Sequence, residues 1–341
     1  MRTDSGQPVR PGRRDLLRIL AVGGAAAATW KLGFHGRSGA GPVTRSRVLM
    51  GTVVNLTVVG DDRAAAENAV DATLGRMAGL EALLSRYRGD SEVARLNTTG
   101  RVDDASPALL EVLRLADSVS RLGDGAFDIT IQPVLDLYRD RASGAGRLPS
   151  PESIERALAL VSHRNVRIDG RTVTLDPSGA RITLDGIGKG YVVDRGVDTL
   201  KEQGFPDVFV EAGGDLVAGG SKGGGTPWRV GIRGPRPGLA LLAAFDAKNR
   251  AVATSGDYMQ PFTEDYTQHH ILDPRSGTSA PETASATVVA PDAATADALA
   301  TLVMVLGPRR GRELLEERVD CEGYLVSKSL EVTRTSGFEL V

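Results

Sequence analysis

Cysteine is nearly absent from this chain of 341 residues, which carries Cys321 alone. An intramolecular disulfide and a cysteine-rich zinc site are therefore both excluded. Aromatic residues make up only 4% of the sequence, and the formal net charge is −2, so the basic surplus typical of a nucleic-acid-binding protein is also missing. Glycine, in contrast, is abundant at 41 residues, and a backbone with many tight glycine loops is suited to wrapping a ligand.

The N-terminal region has the pattern of an export signal. An uncharged run from Ile19 to Trp30 follows Arg13-Arg14, and it is too short for a membrane span, which takes about 20 apolar residues. A basic segment followed by a short apolar one is typical of export, and the paired arginines indicate the twin-arginine route. We therefore expect a signal over residues 1–34 and a periplasmic or otherwise extracytoplasmic protein. An uncleaved signal that anchors the protein to the membrane is one alternative, and a disordered basic tail is another.

The remaining sequence indicates one folded domain. Residues 35–47 are rich in Gly, Ser and Arg and are expected to form a linker before a domain over 48–341. Apolar residues at helical spacing predict helices over 61–84, 109–122, 152–161, 192–203 and 293–306. Strands are predicted over 53–59, 166–168, 172–175, 181–184 and 208–211, and mostly strands and turns from 228 to 289. Because these elements do not alternate as βαβ units, we expect an α+β fold with mixed or antiparallel sheets and flanking helices.

A glycine-rich segment, Leu184-Asp185-Gly186-Ile187-Gly188-Lys189-Gly190-Tyr191, stands between a predicted strand and a predicted helix. It matches neither the Walker A pattern nor G-x-G-x-x-G. Unpaired backbone N–H groups at a helix N-terminus nevertheless favour anions, and Lys189 adds a compact positive charge that suits phosphate. The alternative is an ordinary tight turn with a surface lysine.

Two further clusters carry groups of chemical interest. Asp297 and Thr301 are spaced i, i+4 on a predicted helix, so they share a face and could offer oxygen atoms to Mg²⁺. Taken alone, this pair is more typical of a capping or surface aspartate beside a helix threonine. The neighbours His269 and His270 would point to opposite faces of a strand, which argues against one shared metal. Either could act as a general base near neutral pH, or both could be surface residues at a strand end.

Several short motifs occur in a fixed order, and together they resemble the ApbE family of FAD:protein FMN transferases. The resemblance runs from about Val48 to Gly307, and its last member is the Asp297–Thr301 helix. The other motifs are Met50-Gly51-Thr52, Ser85-Arg86-Tyr87 with Ser91-Glu92 and Leu96-Asn97, Phe127-Asp128-Ile129-Thr130 with Pro133, Gly186 to Tyr191 with Asp194, Glu211 to Asp215, Trp228 to Pro235, Thr254-Ser255-Gly256, and His270 to Pro274 with Gly277.

This resemblance implies an α+β protein that holds FAD in a cleft. The residues implied to line the FAD site, some through backbone atoms, are Met50, Tyr87, Ala126, Phe127, Asp128, Asp185, Tyr191 and Ile271. It also implies Mg²⁺ bound by the Gly188 carbonyl, Asp297 and Thr301. Position 185 is Asp where many relatives have Ser, and position 188 is Gly where many have Ala. The added charge of Asp185 is expected to lower FAD affinity or to draw the metal closer.

The implied reaction is Mg²⁺-dependent transfer of FMN from FAD to a Thr or Ser hydroxyl of an acceptor flavoprotein, with release of AMP. His270 is then the expected general base, with Asp257 as the alternative, and Lys189 is expected to stabilise charge on the phosphoryl oxygens. The implied acceptors are exported or membrane redox proteins, and no nucleic-acid partner is expected. Two other functions stay open, namely an FAD pyrophosphatase that yields FMN and AMP, and a protein that binds FAD without turnover.

Overall fold

The computed structural model describes residues 41–142, 148–239 and 241–341. The predicted export signal over 1–34 and the first part of the predicted linker lie outside these residues. None of the helices in the described part of the chain combines the length and the apolar character needed to cross a membrane.

Seven α-helices form in the described residues, and most begin where the sequence provides a capping side chain. Asp62 accepts a hydrogen bond from the Ala65 amide at 2.9 Å, and Ser106 caps the next long helix ahead of Pro107. Such caps satisfy amide groups that have no partner within the helix. The helices are α1 (Arg63–Leu84), α2 (Glu92–Thr99), α3 (Pro107–Leu122), α4 (Gln132–Ala142), α5 (Pro151–Leu158), α6 (Gly188–Glu202) and α7 (Ala293–Glu316).

The strands are short and pair mainly with antiparallel neighbours. They are β1 (Val43–Leu49), β2 (Thr52–Val58), β3 (Arg101–Val102), β4 (Val166–Asp169), β5 (Thr172–Leu175), β6 (Val208–Ala212), β7 (Asp215–Gly219), β8 (Trp228–Ile232), β9 (Ala243–Ala247), β10 (Arg250–Gly256), β11 (Leu272–Asp273), β12 (Thr278–Ser279), β13 (Thr283–Ala290), β14 (Glu322–Ser327) and β15 (Val332–Arg334). One antiparallel sheet has the order β1-β2-β6-β7-β10-β13-β14-β15, and the small sheets are β3-β5-β4, β8-β9 and β11-β12. The predicted α+β class with antiparallel sheets is confirmed.

The large sheet is covered on both faces, and β6 shows how. Val208, Val210 and Ala212 belong to the main core beneath helices α1, α6 and α7, whereas Phe209 belongs to a second core beneath the β8–β9 hairpin. In that second core the rings of Phe209 and Trp228 lie 5.2 Å apart. Alternate strand residues point to opposite faces, so one strand supplies both cores. Helices α6 and α7 therefore lie side by side on one face of the sheet.

Two of the sequence predictions are wrong in an informative way. Residues 181–184 form no strand, because the amide and carbonyl of Ile182 bond to the side chain of Asn97 at 2.7 and 2.8 Å instead of to a neighbouring strand. Residues 43–47 are not linker but part of β1, whose middle residues are exposed and polar and so lack an apolar pattern. Helix α7 also extends past the predicted end at 306, with a break at Gly307 where φ is 82°.

Candidate functional site

The glycine-rich turn before α6 brings the helix N-terminus against α7. Ile187 provides no side-chain cap, and the Gly190 amide instead donates to the Asp297 carboxylate of α7 at 3.1 Å. A β-carbon at position 190 would lie 2.5 Å from the backbone carbonyl carbon of Ala293, so only glycine permits this approach. The predicted strand–turn–helix context is thus half right, since the helix is present and the strand is not.

Lys189 lies between two buried carboxylates. Its Nζ is 2.6 Å from Asp215 Oδ2 and 3.6 Å from Asp297 Oδ1, and these two aspartate side chains are 2% and 4% exposed. Desolvation disfavours the ammonium, but Asp215 and then Asp297 raise the pKa of Lys189 above its ordinary value. Lys189 therefore stays protonated, which excludes a role as a base and fits a role as a fixed positive charge. The alternative of a surface lysine in an ordinary turn is wrong.

Two of the three predicted Mg²⁺ ligands, Asp297 and Thr301, lie against the glycine-rich turn before α6. Asp297 faces the first turn of α6. The Thr301 hydroxyl lies 3.1 Å from the Ser255 hydroxyl, and it would lie 2.9 Å from a β-carbon placed on Gly186. Burial and the neighbouring Asp215 raise the pKa of Asp297, while Lys189 opposes that shift. Two buried carboxylates thus face one ammonium group at this place. No group of three or more His, Cys, Asp or Glu side chains suited to a metal occurs in the described residues.

A third buried carboxylate, that of Asp194, fixes the orientation of α7. Asp194 of α6 accepts hydrogen bonds from the amides of Ala293 and Ala294 at 2.7 and 2.9 Å, in the first turn of α7. Burial raises the pKa of Asp194 to about 7 in spite of these bonds. Since Asp292 caps the same helix end, α7 is held at its N-terminus from two sides, and this sets the position of Asp297 one turn further on.

The two adjacent histidines have different surroundings. His269 is fully buried, its Nε2 donates to the Ala280 carbonyl at 3.1 Å, and its Nδ1 accepts from the Ile271 amide at 3.3 Å. His270 is partly exposed, yet its Nδ1 is shielded from solvent and has no hydrogen-bond partner among the described residues. Of the two rings, only that of His270 thus has a nitrogen left to accept a proton, and its role as the base stays a prediction.

Burial also changes how both rings titrate. Burial, and then the neighbouring His269, lower the pKa of His270 to about 3, and burial lowers the pKa of His269 to about 4. An unperturbed titration near neutral pH, as the sequence suggested, is therefore wrong for both. The alternative base, Asp257, is excluded by its surroundings, because it is completely buried and holds Arg236 through two bonds of 2.7 and 2.9 Å.

Asp185 does not add a free negative charge to the site. Arg86 donates to both of its carboxylate oxygens at 2.9–3.2 Å, and Arg139 donates at 3.3 Å. Partial burial opposes ionisation, but Arg86 and then Arg139 hold the pKa of Asp185 below its ordinary value. The expectation that this aspartate would lower FAD affinity through its charge assumed an unpaired carboxylate, and that assumption is wrong.

The residues predicted to line the FAD site fall into two groups. Met50, in the β1–β2 turn with φ of 52°, and Tyr87, 71% exposed, are accessible, as is Asp185. The other predicted residues are buried in the described structure, namely Ala126, Phe127, Asp128, Tyr191 and Ile271. Asp128 accepts bonds from the amide and hydroxyl of Thr130, and Tyr191 donates to Glu111 at 2.7 Å.

Several residues at this site were not predicted from the sequence. Asp215 was visible only as the last residue of a glycine motif, although an acid at the first position of an otherwise apolar strand is an unusual placement and a usable signal. Arg86, Arg139 and Ser255 come from three separate segments, and nothing local distinguishes the two arginines from other surface arginines.

Comparisons with known proteins agree with this site and fold. Residues 50–325 match the model of the ApbE family. A protein of Vibrio cholerae named FAD:protein FMN transferase is 31% identical over 276 residues, which cover 78% of this chain and 82% of that protein. The crystal structure of the ApbE protein from Thermotoga maritima has a TM-score of 0.79 at 31% identity and covers 86% of this chain and 97% of its own. The flavin transferase ApbE from Vibrio cholerae has a TM-score of 0.75 at 28% identity, with 87% and 98% covered. The resemblance predicted from the ordered motifs is confirmed, and the chain belongs to the ApbE family.

Proposed function

We propose that this protein transfers FMN from FAD to a Thr or Ser hydroxyl of an acceptor flavoprotein and releases AMP. The observation that carries this proposal is the protonated Lys189 held between Asp215 and Asp297 at the N-terminus of α6, in a chain related to proteins named FAD:protein FMN transferase. A helix N-terminus with a fixed ammonium group is suited to hold a pyrophosphate.

The chemistry requires one bond to form and one to break. The acceptor hydroxyl oxygen attacks the phosphorus on the FMN side of the FAD pyrophosphate, the bond from that phosphorus to the bridging oxygen breaks, and AMP leaves with the bridging oxygen. The hydroxyl proton is taken by the imidazole ring of His270, which is partly exposed and has one nitrogen without a hydrogen-bond partner among the described residues. Lys189 neutralises charge on the phosphoryl oxygens, since such transition states are stabilised mainly by position and electrostatics.

The same site has an oxygen donor set that fits Mg²⁺. We propose that the Gly188 carbonyl, the Asp297 carboxylate and the Thr301 hydroxyl hold this ion, with the buried charge of Asp215 nearby as support. When bound, Mg²⁺ supplies positive charge that stabilises the pyrophosphate oxygens and the leaving group. For the flavin substrate we retain the predicted set, with the side chains of Met50 and Tyr87 and the backbone of the buried residues as contacts.

A two-readout assay tests the proposed reaction. The protein is incubated with FAD, Mg²⁺ and candidate acceptors from the same cell, and both AMP release and flavin fluorescence on denatured acceptor are measured. We expect both signals, with labelling lost when the acceptor Thr or Ser is replaced by Ala. AMP and FMN without labelled acceptor would mean a pyrophosphatase, and retained FAD without AMP would mean a binding protein.

Lys189 allows a matched control on the same helix. Lys189→Gln should lower AMP release roughly 10²–10³-fold, since it removes a fixed charge from the reacting group. Lys201→Gln alters an exposed lysine of α6 and should leave the rate unchanged. Equal rates for the two variants, both folded by circular dichroism, would contradict the role of Lys189.

We also propose that the protein is exported by the twin-arginine route and that its acceptors are exported or membrane flavoproteins. The proposal is supported by Arg13-Arg14 ahead of a short, mildly apolar run. Replacing both arginines with lysine should leave the protein in the cytoplasm, and cell fractionation measures this. Normal export of the double variant would contradict the route.

A further inference from the structure

Three segments that are distant in sequence meet at one carboxylate beside the proposed site. Asp185 lies in the turn before α6, Arg86 in the loop after α1, and Arg139 on α4. The side chains of Arg86, Asp185 and Arg139 are 10%, 35% and 24% exposed, so the group lies at the surface without being fully solvated. We call these three residues the Asp185 cluster.

Through Arg86, the Asp185 cluster contacts the exposed aromatic ring of Tyr87 in the 85–90 loop. The guanidinium of Arg86 stacks over the Tyr87 ring with its carbon 4.0 Å from the ring centre, and it also donates to the Tyr87 hydroxyl. Tyr87 therefore presents its ring to solvent on a support that Asp185 fixes. An exposed ring held in one place is suited to stack on a planar ligand.

Through Arg139, the Asp185 cluster contacts the loop that carries His270. Arg139 donates to the side-chain oxygen of Gln260 at 3.5 Å, and the carbonyl of Gln260 accepts from the His270 amide at 3.1 Å. The 260–270 loop is thus attached to the same carboxylate as the 85–90 loop. If Asp185 loses its charge, two guanidinium groups face each other across the place of their shared partner.

We propose that Asp185 is a positioning residue that holds Tyr87 and His270 on opposite sides of one substrate site. This inference rests on the proposed function, because it assigns the ring of Tyr87 to the flavin substrate and His270 to the acceptor hydroxyl. The Asp185 cluster differs from a purely stabilising ion pair, because Arg86 leads to Tyr87 and Arg139 leads through Gln260 to His270, and both end residues are assigned to substrates. The role also explains why an aspartate is tolerated beside a pyrophosphate, since the cluster as a whole carries one positive charge.

The test compares Asp185→Asn with a matched variant, Asp246→Asn. Asp246 of β9 is 34% exposed and is also held by two nitrogens of one arginine, Arg229, at 3.0 and 3.5 Å. We expect Asp185→Asn to raise the KM for FAD about tenfold and to lower kcat for acceptor labelling by a similar factor, because coupled charged groups contribute this much. Asp246→Asn should change neither constant.

Hydrogen exchange on the protein without flavin provides a second measurement. In Asp185→Asn, amide exchange should become faster in both the 85–90 and the 260–270 segments, whereas Asp246→Asn should leave both unchanged. This readout needs no turnover, so it tests the cluster even if the proposed transferase activity is absent. Unchanged exchange in either segment would overturn the inference.

A double-mutant cycle tests whether Asp185 acts through Arg86. In an Arg86→Gln background, adding Asp185→Asn should raise the KM for FAD by roughly threefold or less, since the shared interaction is already lost. The full tenfold effect in that background would overturn the claim that Asp185 acts on Tyr87 through Arg86. Tighter FAD binding by Asp185→Asn would overturn the inference altogether, because it would mean that the carboxylate competes with the pyrophosphate for the arginines.

Discussion

The close approach of α6 to α7 at Gly190 can be broken by one methyl group. In Gly190→Ala the new β-carbon would lie 2.5 Å from the carbonyl carbon of Ala293 and 2.8 Å from the α-carbon of Ala294. Both are backbone atoms at the start of α7, so no side-chain rotation relieves the contact. The helix must move away by about 1 Å to reach an ordinary carbon–carbon separation of about 3.5 Å.

The expected change in the free energy of unfolding combines two destabilising contributions and one stabilising contribution. Overpacking against a rigid element costs about 1–3 kcal/mol, and the upper end applies because backbone is displaced. The bond from the Gly190 amide to the Asp297 carboxylate, 3.1 Å long, is lost, which costs about 1.5–3 kcal/mol for a charged acceptor. Alanine regains about 1 kcal/mol of helix propensity. We therefore expect a free energy of unfolding about 4 kcal/mol lower than in the wild type.

Denaturant unfolding followed by circular dichroism measures this difference, and Gly79→Ala is the control. Gly79 lies within α1, and a β-carbon there has no neighbour within 4 Å, so alanine should stabilise the protein by about 0.5–1 kcal/mol. In Gly190→Ala, AMP release at low Mg²⁺ should also fall, because Asp297 moves with α7. A Gly190→Ala protein as stable as the Gly79→Ala variant would refute the close contact.

Three further outcomes are expected at the remaining site residues. Asp297→Ala should fold and should raise the Mg²⁺ concentration for half-maximal AMP release more than tenfold; an unchanged Mg²⁺ dependence would reject this ligand. His270→Ala should lower FMN transfer about 10²–10⁴-fold with little change in FAD affinity. Burial and then His269 lower the pKa of His270 to about 3, and Asp185 and Arg139 also act on it, so His270 stays neutral from pH 5 to 8. The wild-type rate should therefore show no inflection near pH 6.5 that arises from His270. Burial lowers the pKa of His269 to about 4, whereas in the unfolded chain the pKa has the ordinary value of about 6.5. Below pH 6.5 the unfolded chain therefore binds a proton that the folded protein does not bind, and the free energy of unfolding falls as the pH drops from 7 to 4. His269 should contribute roughly 3 kcal/mol of this loss in denaturant unfolding, so the loss should be smaller by that amount in His269→Gln; an identical slope in the two proteins would contradict the assignment.

The sequence predicted the elements whose signals are local. Helices α1, α3, α6 and α7 follow from apolar spacing and from caps such as Asp62 and Ser106, and their lengths are correct to within a few residues except where α7 continues beyond Gly307. The false strand over 181–184 has a strand-like composition, and it fails because Asn97, more than 80 residues earlier, takes its hydrogen bonds. Local pattern contains no information about that partner.

The site shows the same division between local and distant information. The i, i+4 spacing of Asp297 and Thr301 correctly predicts a shared helix face, since helix geometry alone sets it. The relation of that face to Lys189 depends on Gly190 and on the capping of α7 by Asp194, two contacts between separate helices. A sequence shows that these residues are present but not that they meet.

Asp185 is the case in which local reasoning left out two charges that the fold brings near. Taken with its neighbours in sequence, it adds a negative charge beside the proposed pyrophosphate site, and a weaker site is the natural conclusion. Taken with Arg86 and Arg139, it is the anion between two cations, and the local charge becomes positive. The electrostatic effect of a substitution therefore depends on charges brought near by the fold, and Asp185→Asn should weaken the site instead of strengthening it, because it removes the group that keeps two guanidiniums together.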